Sequence, residues 1–119
     1  MVKTILVVDD EFGVVEVLVA ALQDEGYRVV VAANGRQGLE RLAEGVPDLV
    51  VLDFMMPILD GVSMAKAMKE EAAWRDIPII MTSAVAESGL RKRFEGYNAF
   101  LRKPFRATAL IQLVASLLR

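Results

Sequence analysis

Ile5-Leu6-Val7-Val8-Asp9-Asp10 is a short apolar run, rich in β-branched side chains, that ends on two carboxylates. Three further segments repeat the form. Leu49-Val50-Val51-Leu52 runs into Asp53, Ile79-Ile80-Met81 into Thr82-Ser83, and Ala99-Phe100-Leu101 toward Lys103-Pro104. Runs of this length and composition read as strands buried on both faces, as in a parallel sheet. In open α/β sheets the ligand site lies beyond the carboxyl ends of the strands. Three carboxylates, a hydroxyl and an ammonium are therefore expected to converge on one patch.

Working outward from these runs, strands alternate with helices. The patterning predicts strands over about 3–8, 28–32, 48–52, 78–82 and 97–101, and helices over about 11–25, 36–44, 62–73, 86–95 and from Pro104 to Arg119. Gly26 suits the residue after a helix end. Asn34-Gly35, Gly45, Pro47 and Gly96 mark turns, and Pro104 suits the first turn of the last helix. Such (βα)5 alternation implies a doubly wound α/β fold: a five-stranded parallel sheet between two helical layers, αβα, joined by right-handed crossovers. The order 2-1-3-4-5 sets the first strand beside the third, and with it Asp9-Asp10 beside Asp53.

The bulk composition narrows the function classes. The 119 residues suffice for one domain, 1–119, with no output domain expected in this chain. Hydrophobic residues make up 55%, so a core can form. The net charge is −2 and shows no basic stripe, which argues against direct nucleic-acid contact. There is no cysteine, hence no disulfide framework, and no histidine, hence no imidazole catalysis or ligation. No apolar run approaches the roughly 20 residues of a membrane span, and the first strand leaves no room for a signal peptide. A cytoplasmic protein is expected.

The three acids are costly together, and a hard divalent cation with oxygen ligands relieves them. Asp at a strand end also caps helices, so Asp9 or Asp10 alone is ambiguous. Lys103 facing the acids offers a point charge to a carboxylate or phosphate. Ser83 reads either as a local cap or as a hydroxyl for a phosphoryl oxygen. As a set, the residues read as phosphoryl chemistry, with a carboxylate as nucleophile.

Asp9-Asp10, Asp53, Met56-Pro57-Ile58-Leu59-Asp60-Gly61, Ser83-Ala84 and Lys103-Pro104-Phe105 resemble the response-regulator receiver domain of two-component signalling, over essentially the whole chain. The resemblance implies a flavodoxin-like fold and a set of roles. Asp53 takes a phosphoryl group from a sensor histidine kinase or a histidine phosphotransfer protein. Asp10 binds Mg²⁺ directly, with Mn²⁺ able to substitute, and Asp9 acts mainly through water. Asp53 and the backbone carbonyl of Met55 complete the metal ligands. Ser83 and Lys103 engage the phosphoryl group, and Phe100 is the switch aromatic or else plain core. A downstream protein or output domain reads the change, and a homodimer is open. The chain would be no enzyme beyond its own phosphorylation and dephosphorylation.

Four departures qualify the resemblance. The interval from Ser83 to Lys103 is shorter than usual, and the loss falls in or before the fourth helix, which Gly89 weakens further. A short, mobile helix is expected there. The first helix is apolar over roughly 220° of its surface. Val14, Leu18, Ala21 and Leu22 suffice for its core face, leaving Phe12, Val15 and Val19 partly exposed. Together with Val14 and Pro104 these form either a partner surface or scattered surface apolars. Met55 and Val85 flank the site and cannot orient an attacking water, which predicts a long-lived phosphoryl state. Trp74 reads as packing.

Three other classes compete. A receiver-like interaction module that no longer uses phosphate is set against the complete acid, hydroxyl and lysine set. A Mg²⁺-dependent phosphohydrolase would need a substrate-covering segment and an Asp-x-Asp motif after the first strand. A flavin-binding domain would need a phosphate-cradling loop where Asp9-Asp10-Glu11 stand.

Overall fold

The computed structural model describes residues 1–119. Five strands, β1 (Thr4–Val8), β2 (Arg28–Ala32), β3 (Leu49–Asp53), β4 (Ile79–Ser83) and β5 (Ala99–Arg102), alternate with α1 (Phe12–Asp24), α2 (Gly35–Glu44), α3 (Gly61–Glu70), α4 (Glu87–Arg91) and α5 (Ala107–Leu117). All four strand pairings are parallel, in the order β2-β1-β3-β4-β5 expected from the alternation.

The apolar runs are buried because alternate side chains enter two different cores. Leu6, Val8, Val50, Leu52, Ile79 and Met81 face Leu42 of α2, Met64 and Met68 of α3, and Leu90 of α4. Ile5, Val7, Leu49, Val51 and Ile80 face Leu18 and Leu22 of α1 and Leu110 and Val114 of α5. The strands start where side chains tie down their ends. Asp48 accepts from the Thr4 amide at 2.7 Å, and Asn98 from the Ile79 amide at 2.8 Å. At the β2 edge, Arg41 Nε donates to the Val31 carbonyl at 3.2 Å. Trp74 is half-buried against the first core, as its packing role requires. No helix is long and apolar enough to cross a membrane.

Three helices depart from their expected bounds. Pro104 does not open α5. It stands in a cis peptide with Lys103, and the helix starts at Ala107 behind Arg106. The first-turn preference of proline was therefore the wrong guide, because Pro104 and Phe105 shape the turn out of β5. Helix α3 ends at Glu70, since Glu71 is extended, with Trp74 folded back on the core. Helix α4 spans only five residues, with Leu90 as its single buried side chain.

Two glycines in these segments make opposite predictions. A Cβ on Gly61 would collide with the Asp53 carbonyl, whereas a Cβ on Gly89 meets nothing within 4 Å. Gly61→Ala should cost about 2 kcal/mol or more, and Gly89→Ala should gain up to about 1 kcal/mol, both read by urea denaturation.

Candidate functional site

The parallel register assembles the site. Asp53 pairs with Thr82 across β3 and β4, and Ser83 with Arg102 across β4 and β5. One residue further on, the Lys103 amide donates to the Ser83 carbonyl at 2.7 Å, which sets the lysine beside the hydroxyl. The Asp9 amide donates to the Ala32 carbonyl at 3.1 Å and holds the turn beyond β1. Asp9, Asp10, Asp53, Ser83 and Lys103 thus meet as expected. Asp53 and Ser83 are the last residues of their strands rather than the first beyond them.

One carboxylate oxygen from each of Asp9, Asp10 and Asp53 lies within 4.8 Å of the others. Asp9 and Asp53 are buried, while Asp10 is exposed. Lys103 Nζ donates to Asp9 Oδ2 at 2.8 Å and to Glu11 Oε1 at 3.0 Å, and stands 3.5 Å from Asp53 Oδ1. The other Asp9 oxygen accepts from the Glu11 amide at 2.8 Å. Ser83 Oγ accepts from the Val85 amide at 3.0 Å. Its cap role and its place at the site are therefore not exclusive. Phe100 is half-buried in the first core, with its ring centroid 6.5 Å from that of Tyr97. Met55 and Val85 are exposed at the rim, apolar as expected.

Several contributors carried no signal in the sequence pattern. Glu11 reaches across from the start of α1 to Lys103. Arg93 lies over the Phe54 ring, 5.5 Å from its centroid, and pairs with Asp60 Oδ2 at 3.6 Å. Asp60 itself caps α3 by accepting from the Ser63 amide. On α1, Phe12 is exposed and Val14, Val15 and Val19 are half-buried. Val17, not singled out above, is 60% exposed. Val14, Val17, Leu18, Pro104 and Phe105 line a groove of about 500 Å³ whose rim includes Glu11 and Lys103.

Burial, then the charge of Asp9, push the Asp53 carboxyl up to about 7 against the pull of Lys103. Burial draws the Lys103 ammonium downward, but its bonds to Asp9 and Glu11 and the Asp53 charge outweigh this and hold it above its usual value. A buried acid with so elevated a pKa, in a three-oxygen cluster, fits a hard divalent cation, whose charge favours the ionised form. A carboxyl whose pKa rises on folding contributes stability that is present below about pH 4 and lost as the pH climbs through about 7. In metal-free buffer, Asp53→Asn should therefore be more stable than the wild type near pH 8 by a few kcal/mol, with the gap closing near pH 4. Urea denaturation at the two pH values checks this, and a gap independent of pH would refute it.

Residues 5–115 match the family described as the response regulator receiver domain. The phosphate regulon transcriptional regulatory protein PhoB of Pseudomonas aeruginosa is 34% identical over 119 residues, covering 98% of this chain and 52% of that protein. The chain spans about half the length of the curated relatives it matches. A response regulator structure from Chloroflexus aurantiacus, described as putative in its own name, superposes with a TM-score of 0.91 at 32% identity, covering 99% of this chain and 98% of that one. The receiver domain of the sensor histidine kinase PA1611 from Pseudomonas aeruginosa, with a magnesium ion coordinated in its active-site cleft, does so with a TM-score of 0.91 at 30% identity, covering 99% and 98%. By its fold, its strand-end acids and these matches, the chain belongs to the response regulator receiver domain family.

Proposed function

We propose that this chain is a phosphorylation-controlled switch. It accepts a phosphoryl group on Asp53 from a histidine of a sensor kinase or phosphotransfer protein, and then alters the surface it offers to a downstream protein or output domain. The observation that carries this reading is the position of Lys103 within reach of Asp53, over a cluster of three carboxylates. The magnesium ion in the cleft of the related PA1611 receiver supports the metal requirement.

The step is an in-line displacement. An Asp53 oxygen attacks the phosphorus of the phosphohistidine, the O–P bond forms, and the P–N bond breaks. Its electron pair stays on the imidazole nitrogen of the donor. Asp10, exposed, would hold the ion directly, together with Asp53 and the Met55 carbonyl. Asp9, with both oxygens already bonded, would reach the ion through water. When bound, Mg²⁺, or Mn²⁺ in its place, neutralises the oxygens of the transferring group. Lys103 takes a second share of that charge. Ser83 releases the Val85 amide to donate its hydroxyl to the phosphoryl group. Phe100, on β5 with its ring beside that of Tyr97, follows that movement. The chain acts only on itself, in a cytoplasmic setting, without direct nucleic-acid contact.

Acetyl phosphate with Mg²⁺ should add one phosphoryl group, detected by intact mass, and Asp53→Asn should abolish it. With apolar Met55 and Val85 at the rim, the adduct should persist for minutes or longer, and a lifetime of seconds would refute that part. Failure to bind beryllofluoride with Mg²⁺ would instead favour an interaction module that no longer uses phosphate.

The groove beside α1 supports the docking of the donor's helices, because Val17 is exposed at its wall. Val17→Glu should slow transfer from the cognate kinase while sparing labelling by acetyl phosphate. Equal kinase rates in the two proteins would remove the groove from the reading.

A further inference from the structure

Lys103 has three N–H donors and three carboxylates around it, unequally placed. Two are hydrogen-bonded, Asp9 at 2.8 Å and Glu11 at 3.0 Å, while Asp53 stands off at 3.5 Å. Glu11 is the N-cap residue of α1, yet its side chain makes no cap bond to the helix. It reaches instead to the ammonium. Its backbone is fixed for that reach, since the Glu11 amide donates to Asp9 and Phe12 begins the helix. Glu11 is also the only one of the three acids outside the proposed metal cluster.

We infer that Glu11 is a positioning residue for Lys103, holding its ammonium back from the acceptor oxygen of Asp53 in the resting state. This rests on the reading of Asp53 as phosphoryl acceptor and adds a residue to that site. An ammonium bonded directly to Asp53 would tie up the electron pair that must attack phosphorus. That bond would have to break before transfer. By occupying one donor, Glu11 keeps the 3.5 Å gap open and lessens the demand of Lys103 on Asp9. It leaves the lysine close enough to move onto phosphoryl oxygens once they arrive. Without Glu11, the ammonium settles between the two buried acids that also serve the cation. Both Mg²⁺ affinity and the rate of phosphorylation then fall.

A double-mutant cycle separates this from a general effect of acidic charge. Glu11→Ala should bind Mg²⁺ more weakly, by calorimetric titration. It should be labelled by acetyl phosphate about tenfold more slowly at saturating Mg²⁺, the loss typical of one charge-assisted hydrogen bond. In a Lys103→Ala background the same substitution should change neither quantity. Thermal melts check that each variant folds, and Glu11 is exposed enough to be replaced without a cavity. If Glu11→Ala matches the wild type, or if its effect persists without Lys103, the inference is overturned. If the wild type itself takes no label on Asp53, the phosphoryl reading fails instead, so the two failures are distinct.

Discussion

One ammonium among three carboxylates governs the carboxyl end of this sheet. Taking Asp9 and Asp53 out of water is costly, and unpaired they would repel each other across the β1–β3 seam. Lys103 makes the arrangement tolerable from a distant part of the chain. It can do so only because the β4–β5 register and the Ser83 carbonyl fix where it emerges. Its compensation is incomplete, as the raised Asp53 carboxyl records. A site left short of positive charge is one that a divalent cation could complete.

The two faces of the sheet divide the labour around this point. On one face, α1 and α5 share a core and leave the Val17 groove beside Lys103. On the other, α4 is a single short turn with few attachments. Leu90 anchors it to the core, Tyr97 donates to Glu87 at 2.7 Å, and Arg93 ties the segment after it to Phe54 and Asp60. Phe54 directly follows Asp53, and Asp60 caps α3. The Arg93 contact therefore links the neighbours of Asp53 to the segment that follows α4.

The fold was legible because a parallel sheet demands near-continuous apolar runs, and this chain has them with turn residues between. The core of the site was legible for the same reason, since strand order brings Asp9 beside Asp53 and parallel strands bring Lys103 out at the same edge of the sheet. What escaped were features without periodicity. Glu11 and Arg93 are exposed charged side chains, and nothing in their spacing says which neighbour they reach. Pro104 has a strong positional preference in helices, which a turn overrode. Val17 lay within an arc of apolar residues too broad to show which of them packing would leave out.

The bond from Arg41 to the Val31 carbonyl bears on how such molecules meet one another. A sheet margin with open carbonyls and amides invites a neighbouring strand. At β2 a partner strand would first have to displace a guanidinium already seated on the backbone. At β5, the other edge of the sheet, no side chain guards the strand in this way. The two margins of the sheet are therefore unequal: an added strand would meet a seated guanidinium at β2 and no such side chain at β5.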